Sequence, residues 1–181
     1  MSAKIIIKQV DYSVVQEFSK KYYMELFNEP TEITSDELFV DFNKDKISKL
    51  RKGHKNKKYG FLIYHNETII GWHLGIQSKP VVYHMVSSAI LKTYQGKGYY
   101  KILLTEVIRR IKEEGYVAIT SLHSATNNKI LVPKLKYGFY IQGFEIQTNY
   151  GLAVNLIYYL NEKQKNAHEL RVGSRSSLSP N

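Results

Sequence analysis

The chain contains no cysteine. That absence excludes disulfides, thiolate zinc sites and a cysteine nucleophile together. Acidic residues are scarce: 16 Asp and Glu stand against 26 Lys and Arg, a formal net charge of +10. Such a balance permits contact with nucleic acid, but it speaks to association and solubility rather than identity. Long apolar runs are missing too. Ile5-Ile6-Ile7, between Lys4 and Lys8, is too short for a signal peptide, and nothing reaches the length of a membrane span. A cytoplasmic protein without membrane association is the expectation. His54, His65, His73, His84, His123 and His168 include no pair spaced by one helical turn, so no metal site is expected. No serine sits in a Gly-x-Ser-x-Gly elbow, and covalent catalysis has no support.

What is present centres on residues 88–115. This stretch reads as the end of a strand, a glycine-bearing turn and one helix. Tyr100, Leu103, Leu104, Val107, Ile108 and Ile111 fall at helical spacing and predict one apolar stripe. Glu106 and Arg110 lie one turn apart, a modest stabilising pair, and Gly115 predicts the stop. At the front, Gln95-Gly96-Lys97-Gly98 places small residues where a strand hands over to a helix N-terminus. Backbone N–H groups there have no intrahelical partner, and the helix dipole adds positive potential, so the position suits phosphate. Lys97 adds a full charge. A P-loop is excluded, because Tyr99 and Tyr100 follow Gly98 where Lys and Ser or Thr are needed. A dinucleotide fingerprint is excluded as well, because Lys101 occupies its third glycine position.

The rest of the chain frames this unit. Lys4 to Val10 predicts a strand. Ser13 with Gln16 predicts a helix start, with Val14, Val15, Phe18, Tyr22 and Leu26 on its face. Asn28-Glu29-Pro30 breaks that helix, and Thr34 with Glu37 opens a second one. The basic run from Arg51 to Lys58 reads as a solvated loop, since no aromatic residues interleave it. Residues 59–65 and 68–76 predict a hairpin across Asn66-Glu67. A long strand over 81–91 leads into the glycine turn. Beyond the central helix come a strand (116–124), a short helix (127–137) closed by Gly138, and two strands (139–146 and 153–160). From Asn161 the pattern disappears. The expectation is one domain over 1–160 and a polar, disordered tail over 161–181. The order of elements predicts a mixed α/β arrangement on one central sheet.

Gln95, Gly98 and Tyr100 occupy the three positions of the acetyl-CoA signature of the GNAT family of N-acetyltransferases: Gln or Arg, two residues, Gly, one residue, then Gly or Ala. The first two agree and Tyr100 departs. Asn127-Asn128, followed by Lys136-Tyr137-Gly138-Phe139, resembles the later family segment in which an asparagine opens a helix ending in Gly-Phe. With the order of elements over residues 4–160, the chain resembles that family.

The resemblance implies a central twisted mixed sheet that splays between its fourth and fifth strands. It implies a cofactor arm bonded to backbone at Ala89, Ile90 and Leu91. It implies pyrophosphate on backbone groups at Gln95, Gly96, Lys97, Gly98, Tyr99 and Tyr100, with Asn127 on the far side of the splay. The implied reaction moves an acetyl group from acetyl-CoA to an amine by direct attack in a ternary complex. The family often protonates the leaving thiolate with a tyrosine four residues before the glycine of Gly-Phe. Lys134 stands there, an ammonium able to donate a proton or to hold a CoA phosphate, and Tyr137 and Tyr140 are alternatives nearby. His123 and His84 are candidate bases on the two strands that flank the splay. Which faces the pocket depends on strand parity. Glu25 and Glu29, in an acidic stretch bordering the implied acceptor pocket, are candidates for attracting a cationic amine. The alternative is a non-catalytic acyl-CoA-binding or nucleic-acid-associated module on the same fold. Monomer and homodimer remain open.

Overall fold

The computed structural model describes residues 4–27, 56–148 and 151–174. The second helix expected after Thr34, Glu29 and most of the basic run lie outside the described residues. Seven strands form one sheet: β1 (Ile5–Val10), β2 (Lys58–His65), β3 (Thr68–Lys79), β4 (Val82–Ile90), β5 (Ala118–Ser124), β6 (Tyr140–Gln147) and β7 (Gly151–Tyr159). Their spatial order is β1-β2-β3-β4-β5-β7-β6. Neighbours run antiparallel, except that β4 and β5 are parallel. A parallel pair needs a crossover, and here it is α2 (Tyr99–Glu113). The other described helices are α1 (Tyr12–Phe27), α3 (Asn128–Tyr137) and α4 (Glu162–Arg171).

The two faces of the sheet carry separate cores, because alternate residues of a strand point to opposite sides. On one face, Phe61, Ile63, Tyr83, Met85 and Ile119 pack with the α2 stripe Leu103, Leu104, Val107, Ile108 and Ile111. On the other, Leu62, Trp72, Leu74 and Ala89 pack with Val15 and the half-buried Phe18, Tyr22 and Leu26 of α1. Helix α1 begins directly after Asp11 rather than at the expected Ser13, and Val14 faces solvent. Glu106 makes its expected ion pair with Arg110 (2.6 Å) and a second with Arg109 (2.8 Å). The hairpin turns at Asn66, whose positive φ of 55° suits a two-residue connection.

A bulge at one residue decides what β4 presents. Gly75 pairs with Met85 and Leu74 with Ser87, so Val86 is extra. Before it, Tyr83 and Met85 face α2. After it, Ser88 and Ile90 do, and Ser87 and Ala89 turn to the α1 face.

The tail expectation is corrected over ten residues. Glu162–Arg171 is a helix, capped where the Asn161 side chain accepts from the Gln164 N–H at 3.1 Å. It buries no residue, so it lacks the periodic apolar signal that reveals a helix in sequence. It docks through aromatic edges instead: the His168 ring lies 4.7 Å from Tyr140 and 5.3 Å from Tyr159, and the Tyr140 hydroxyl donates to Glu169. Residues 175–181 lie outside the described residues. No described helix is long and apolar enough to cross a membrane.

Candidate functional site

The site begins where β4 and β5 part. They pair only from Val82–Ala118 to Met85–Ser121, and both strands continue past that rung without pairing to each other. The bulge at Val86 bends β4 away at this point. Beyond it, Leu91 donates its N–H to the Ile70 carbonyl on β3 (2.9 Å). Strand alternation therefore turns the Ile90 backbone the other way, into the splay. Ala89, Ile90 and Leu91 pack their side chains into the two cores, and of the three it is the Ile90 backbone that turns to the splay, while Leu91 is bonded to β3.

The turn after β4 makes an open cradle. A 3-10 turn (Lys92–Tyr94) leads to Gly96 and Gly98, at φ of 74° and 80°. Non-glycine residues rarely take this left-handed conformation, and a Cβ at either glycine would meet empty space. Gly98 caps α2 with no side-chain hydrogen bond, and no acidic residue occupies the first turn. The leading N–H groups of α2 are thus free of any side-chain cap, and the dipole favours an anion. Gln95 has a structural task here. Its Nε2 donates to the Ile90 carbonyl at 2.8 Å and ties the turn to the end of β4. Lys97 donates to the Thr93 carbonyl (3.0 Å) and lies over the Tyr94 ring.

Between α2 and α3 runs a groove of about 360 Å³, lined by Tyr100, Lys101, Leu104, Val132, Lys136 and Tyr137. The Tyr100 hydroxyl is buried there without a hydrogen-bond partner, and burial raises its pKa. A buried unpaired hydroxyl carries a desolvation cost. Asn127, half-buried at the start of α3, makes no side-chain cap bond. The open cradle, the uncapped helix end and two lysines beside a partly apolar groove fit an elongated ligand with phosphate groups and an apolar stem.

Lys134 occupies the apex. It is 1% exposed, the largest charged side chain buried among the described residues. Its ammonium lies 3.5 Å from Met85 Sδ and over the Phe139 ring, 5.1 Å from the centroid. Met85 belongs to the last paired rung of β4 and β5. Lys134 therefore sits where the splay opens, five strand residues before Ile90 and well short of the glycine turn. This geometry does not place it on a phosphate at the cradle. Burial pushes its pKa down to about 7.

The parity left open by the sequence separates the two histidines. His84 pairs with Thr120 and faces the α1 side, with Nδ1 3.0 Å from Thr120 Oγ1. His123 shares the parity of Ser121, on the helix side with Lys134, and its Nε2 lies 3.2 Å from Ser121 Oγ. Burial, the Lys134 charge and His84 push the His123 pKa down to about 3. Burial and Lys134 also lower His84, but Glu145 opposes them. Glu145 accepts from Asn155 (3.1 Å) and from Gln147, on the sheet face that carries His84.

The remaining candidates fall elsewhere. The Tyr137 hydroxyl donates to Thr105 on α2 at 3.0 Å, away from the apex, and Tyr140 is engaged with α4. Glu25, at the end of α1, pairs with Lys92 at 3.7 Å, so its charge is already met by a cation. Sequence reasoning missed the chain Ser88–His73–Tyr83. His73 is buried, shares a hydrogen bond with Ser88 through Nδ1 and lies 2.7 Å from the Tyr83 hydroxyl through Nε2. Burial and then Lys134 hold the His73 pKa down at about 3, so it is a neutral spacer rather than a base. The partner spacing depends on the Val86 bulge, which no sequence signal marks.

The sequence model of the family described as "Acetyltransferase (GNAT) family" matches residues 15–139, more than half of the chain. No curated protein matches in sequence. Among solved structures, a spermidine N-acetyltransferase mutant from Vibrio cholerae superposes with TM-score 0.62 at 13% identity, covering 90% of this chain and 98% of its own. The ribosomal-protein-S18-alanine N-acetyltransferase from Escherichia coli gives 0.61 at 14% identity, over 87% and 95%. An acetyltransferase from Bacillus subtilis in complex with CoA gives 0.57 at 16% identity, over 88% and 100%. At these identities the likeness is one of fold.

Proposed function

The chain belongs to the acetyltransferase (GNAT) family, and from that membership we propose that it transfers an acetyl group from acetyl-CoA to an amine of a small molecule or peptide by direct attack in a ternary complex. The observation that carries this reading is the open splay between β4 and β5, leading directly to the uncapped N-terminus of α2. Bound there, acetyl-CoA supplies an acyl group activated as a thioester. The backbone of Ile90 and the N–H groups of Gly98, Tyr99 and Tyr100 face the path this molecule needs. Lys101 and Lys136 meet its distal part in the groove between α2 and α3 in this reading. The large Tyr100, where the family motif has a small residue, is tolerated because its ring turns into the α2 core and leaves the backbone donors exposed.

An incoming amine must lose a proton and the departing sulfur must gain one. His84 takes the first role in this reading. Its imidazolium is supported by the Glu145 carboxylate, whereas His123 is opposed by every charge that acts on it. Lys134 takes the second role: a buried amine with its pKa near 7 is partly protonated at neutral pH and gives its proton readily to a thiolate. The acceptor then approaches across the face bearing His84, Thr120 and Glu145, and the Glu145 carboxylate favours a cationic amine.

The experiment is CoA-thiol release from acetyl-CoA across a panel of polyamines, amino acids, aminoglycosides and peptide N-termini. Amine-dependent release is expected from at least one class. Gly98→Glu places bulk and negative charge in the cradle and abolishes acetyl-CoA binding by calorimetry. Unchanged affinity in that variant, with its circular dichroism intact, refutes the cofactor assignment.

A further inference from the structure

We propose that Lys134 is an internal acyl acceptor, so that the chain acetylates its own buried lysine when acetyl-CoA is bound and no external amine is present. The inference rests on the reading that the splay holds acetyl-CoA. It goes beyond that reading by assigning a modification site and an off state.

Three observations converge on the Lys134 nitrogen. It has no anionic partner among the described residues: its neighbours are a thioether, Met85 Sδ at 3.5 Å, and the face of Phe139. Lysines are almost never fully buried unless paired. It lies beside Met85, on the last rung before β4 and β5 part, at the closed end of the splay that the cofactor reading fills. The titratable groups around it bring no negative charge. His73 on β3, His84 on β4 and His123 on β5 are all depressed, first by burial and then by the lysine's own charge, and Glu145 reaches only His84. The surroundings therefore favour the uncharged amine, and an uncharged lysine is a nucleophile.

The step balances without any further reactant. The Nζ lone pair attacks the thioester carbonyl carbon and forms an N–C bond. The C–S bond breaks and its electron pair leaves on sulfur. The proton lost by nitrogen goes to that sulfur, giving N-acetyl-lysine and CoA thiol. The product amide carries no charge. It fills the apex with an acetyl group and removes the proton donor, so the modified chain is inactive in transfer.

With a pKa near 7, Lys134 presents on the order of several hundred times more free amine at pH 7.5 than an ordinary lysine. A weaker base is also a weaker nucleophile, which cancels part of this advantage. The net expectation is acetylation at least about tenfold faster than at exposed lysines such as Lys20 and Lys112, before any gain from proximity.

The test incubates the full chain with acetyl-CoA alone and follows intact mass and peptide maps, with acetyl-CoA binding measured separately by calorimetry. One added acetyl group is expected at Lys134. Its rate should rise with pH to about 7 and then level off, while exposed lysines keep accelerating. Binding without modification of Lys134 overturns the inference and leaves the cofactor reading standing. Absence of binding overturns both. Equal modification of Lys134 in the urea-unfolded chain also overturns it, because the site would then play no part. Gly98→Glu, which leaves Lys134 in place, should remove the modification along with the binding.

Discussion

Replacing Lys134 with methionine tests the interior of this protein without reference to any ligand. The substitution keeps length and approximate volume and removes only the ionisable end, so packing changes little. In the folded chain, burial lowers the Lys134 pKa from 10.5 to about 7. Between these values the unfolded chain holds a proton that the folded chain does not. Stability then rises with pH, because the unfolded state binds more protons. The slope is about 1.4 kcal/mol per pH unit for a full proton. From pH 7 to pH 9 the contribution is about 2–3 kcal/mol, and over the whole window to pH 10.5 it approaches roughly 5 kcal/mol. Below pH 7 the charged amine is buried in both thioether and aromatic surroundings, and its full penalty is present. Lys134→Met should therefore be more stable than the natural chain at pH 6.5 by several kcal/mol, with the gap closing towards pH 9. Urea unfolding at half-unit intervals measures both curves, and subtraction cancels the titrating groups that the Lys134 charge does not reach. Keeping below pH 9.5 avoids ionising the unfolded chain's tyrosines. Two parallel curves would refute the buried-amine reasoning outright.

Two further outcomes follow from residues around the splay. His84→Gln should lower kcat for amine acetylation by about 10²-fold or more while acetyl-CoA affinity stays near its original value, and the low-pH limb of kcat should disappear; pH–rate profiles of both forms decide it. Gly71→Ala should cost about 1–3 kcal/mol in urea unfolding, since a Cβ there would overlap the Ala89 carbonyl oxygen, a backbone atom that cannot rotate away.

Much of the architecture was legible because α2 advertises itself. Its buried positions are Leu103, Leu104, Val107, Ile108 and Ile111, five of the six residues read at helical spacing, and Gly115 at φ 91° supplies the stop. The Asn66 hairpin was legible for the same reason: a local rule governs it. The features that stayed hidden depend on non-local geometry. The bulge at Val86 exists because β3 and β4 slip by one residue, and only then do Ser88 and His73 meet. His84 and His123 differ in face by parity across a parallel pair, which no single strand reveals. Lys134 is the instructive case. A lysine on a short helix is ordinarily read as a surface charge, yet Leu131 and Lys134 are the two buried positions of α3, one turn apart. The spacing from Leu131 was the available signal, and it pointed a cation inward.

The seam between β4 and β5 has a mechanical meaning. On one side stand β1 to β4, on the other β5, β7 and β6, and each group is held together internally by antiparallel ladders. Among the described residues, the four rungs from Val82 to Met85, with the Val117 N–H donating to the Val81 carbonyl just before them (3.0 Å), form the backbone join between these two leaves. A molecule lying in the splay and accepting from the Ile90 N–H would add rungs beyond Met85 and close the open end of the seam while it stays. Occupancy is then written into the slowest amide protons of the molecule. Exchange at the seam should report whether the two leaves are latched together or free to breathe apart.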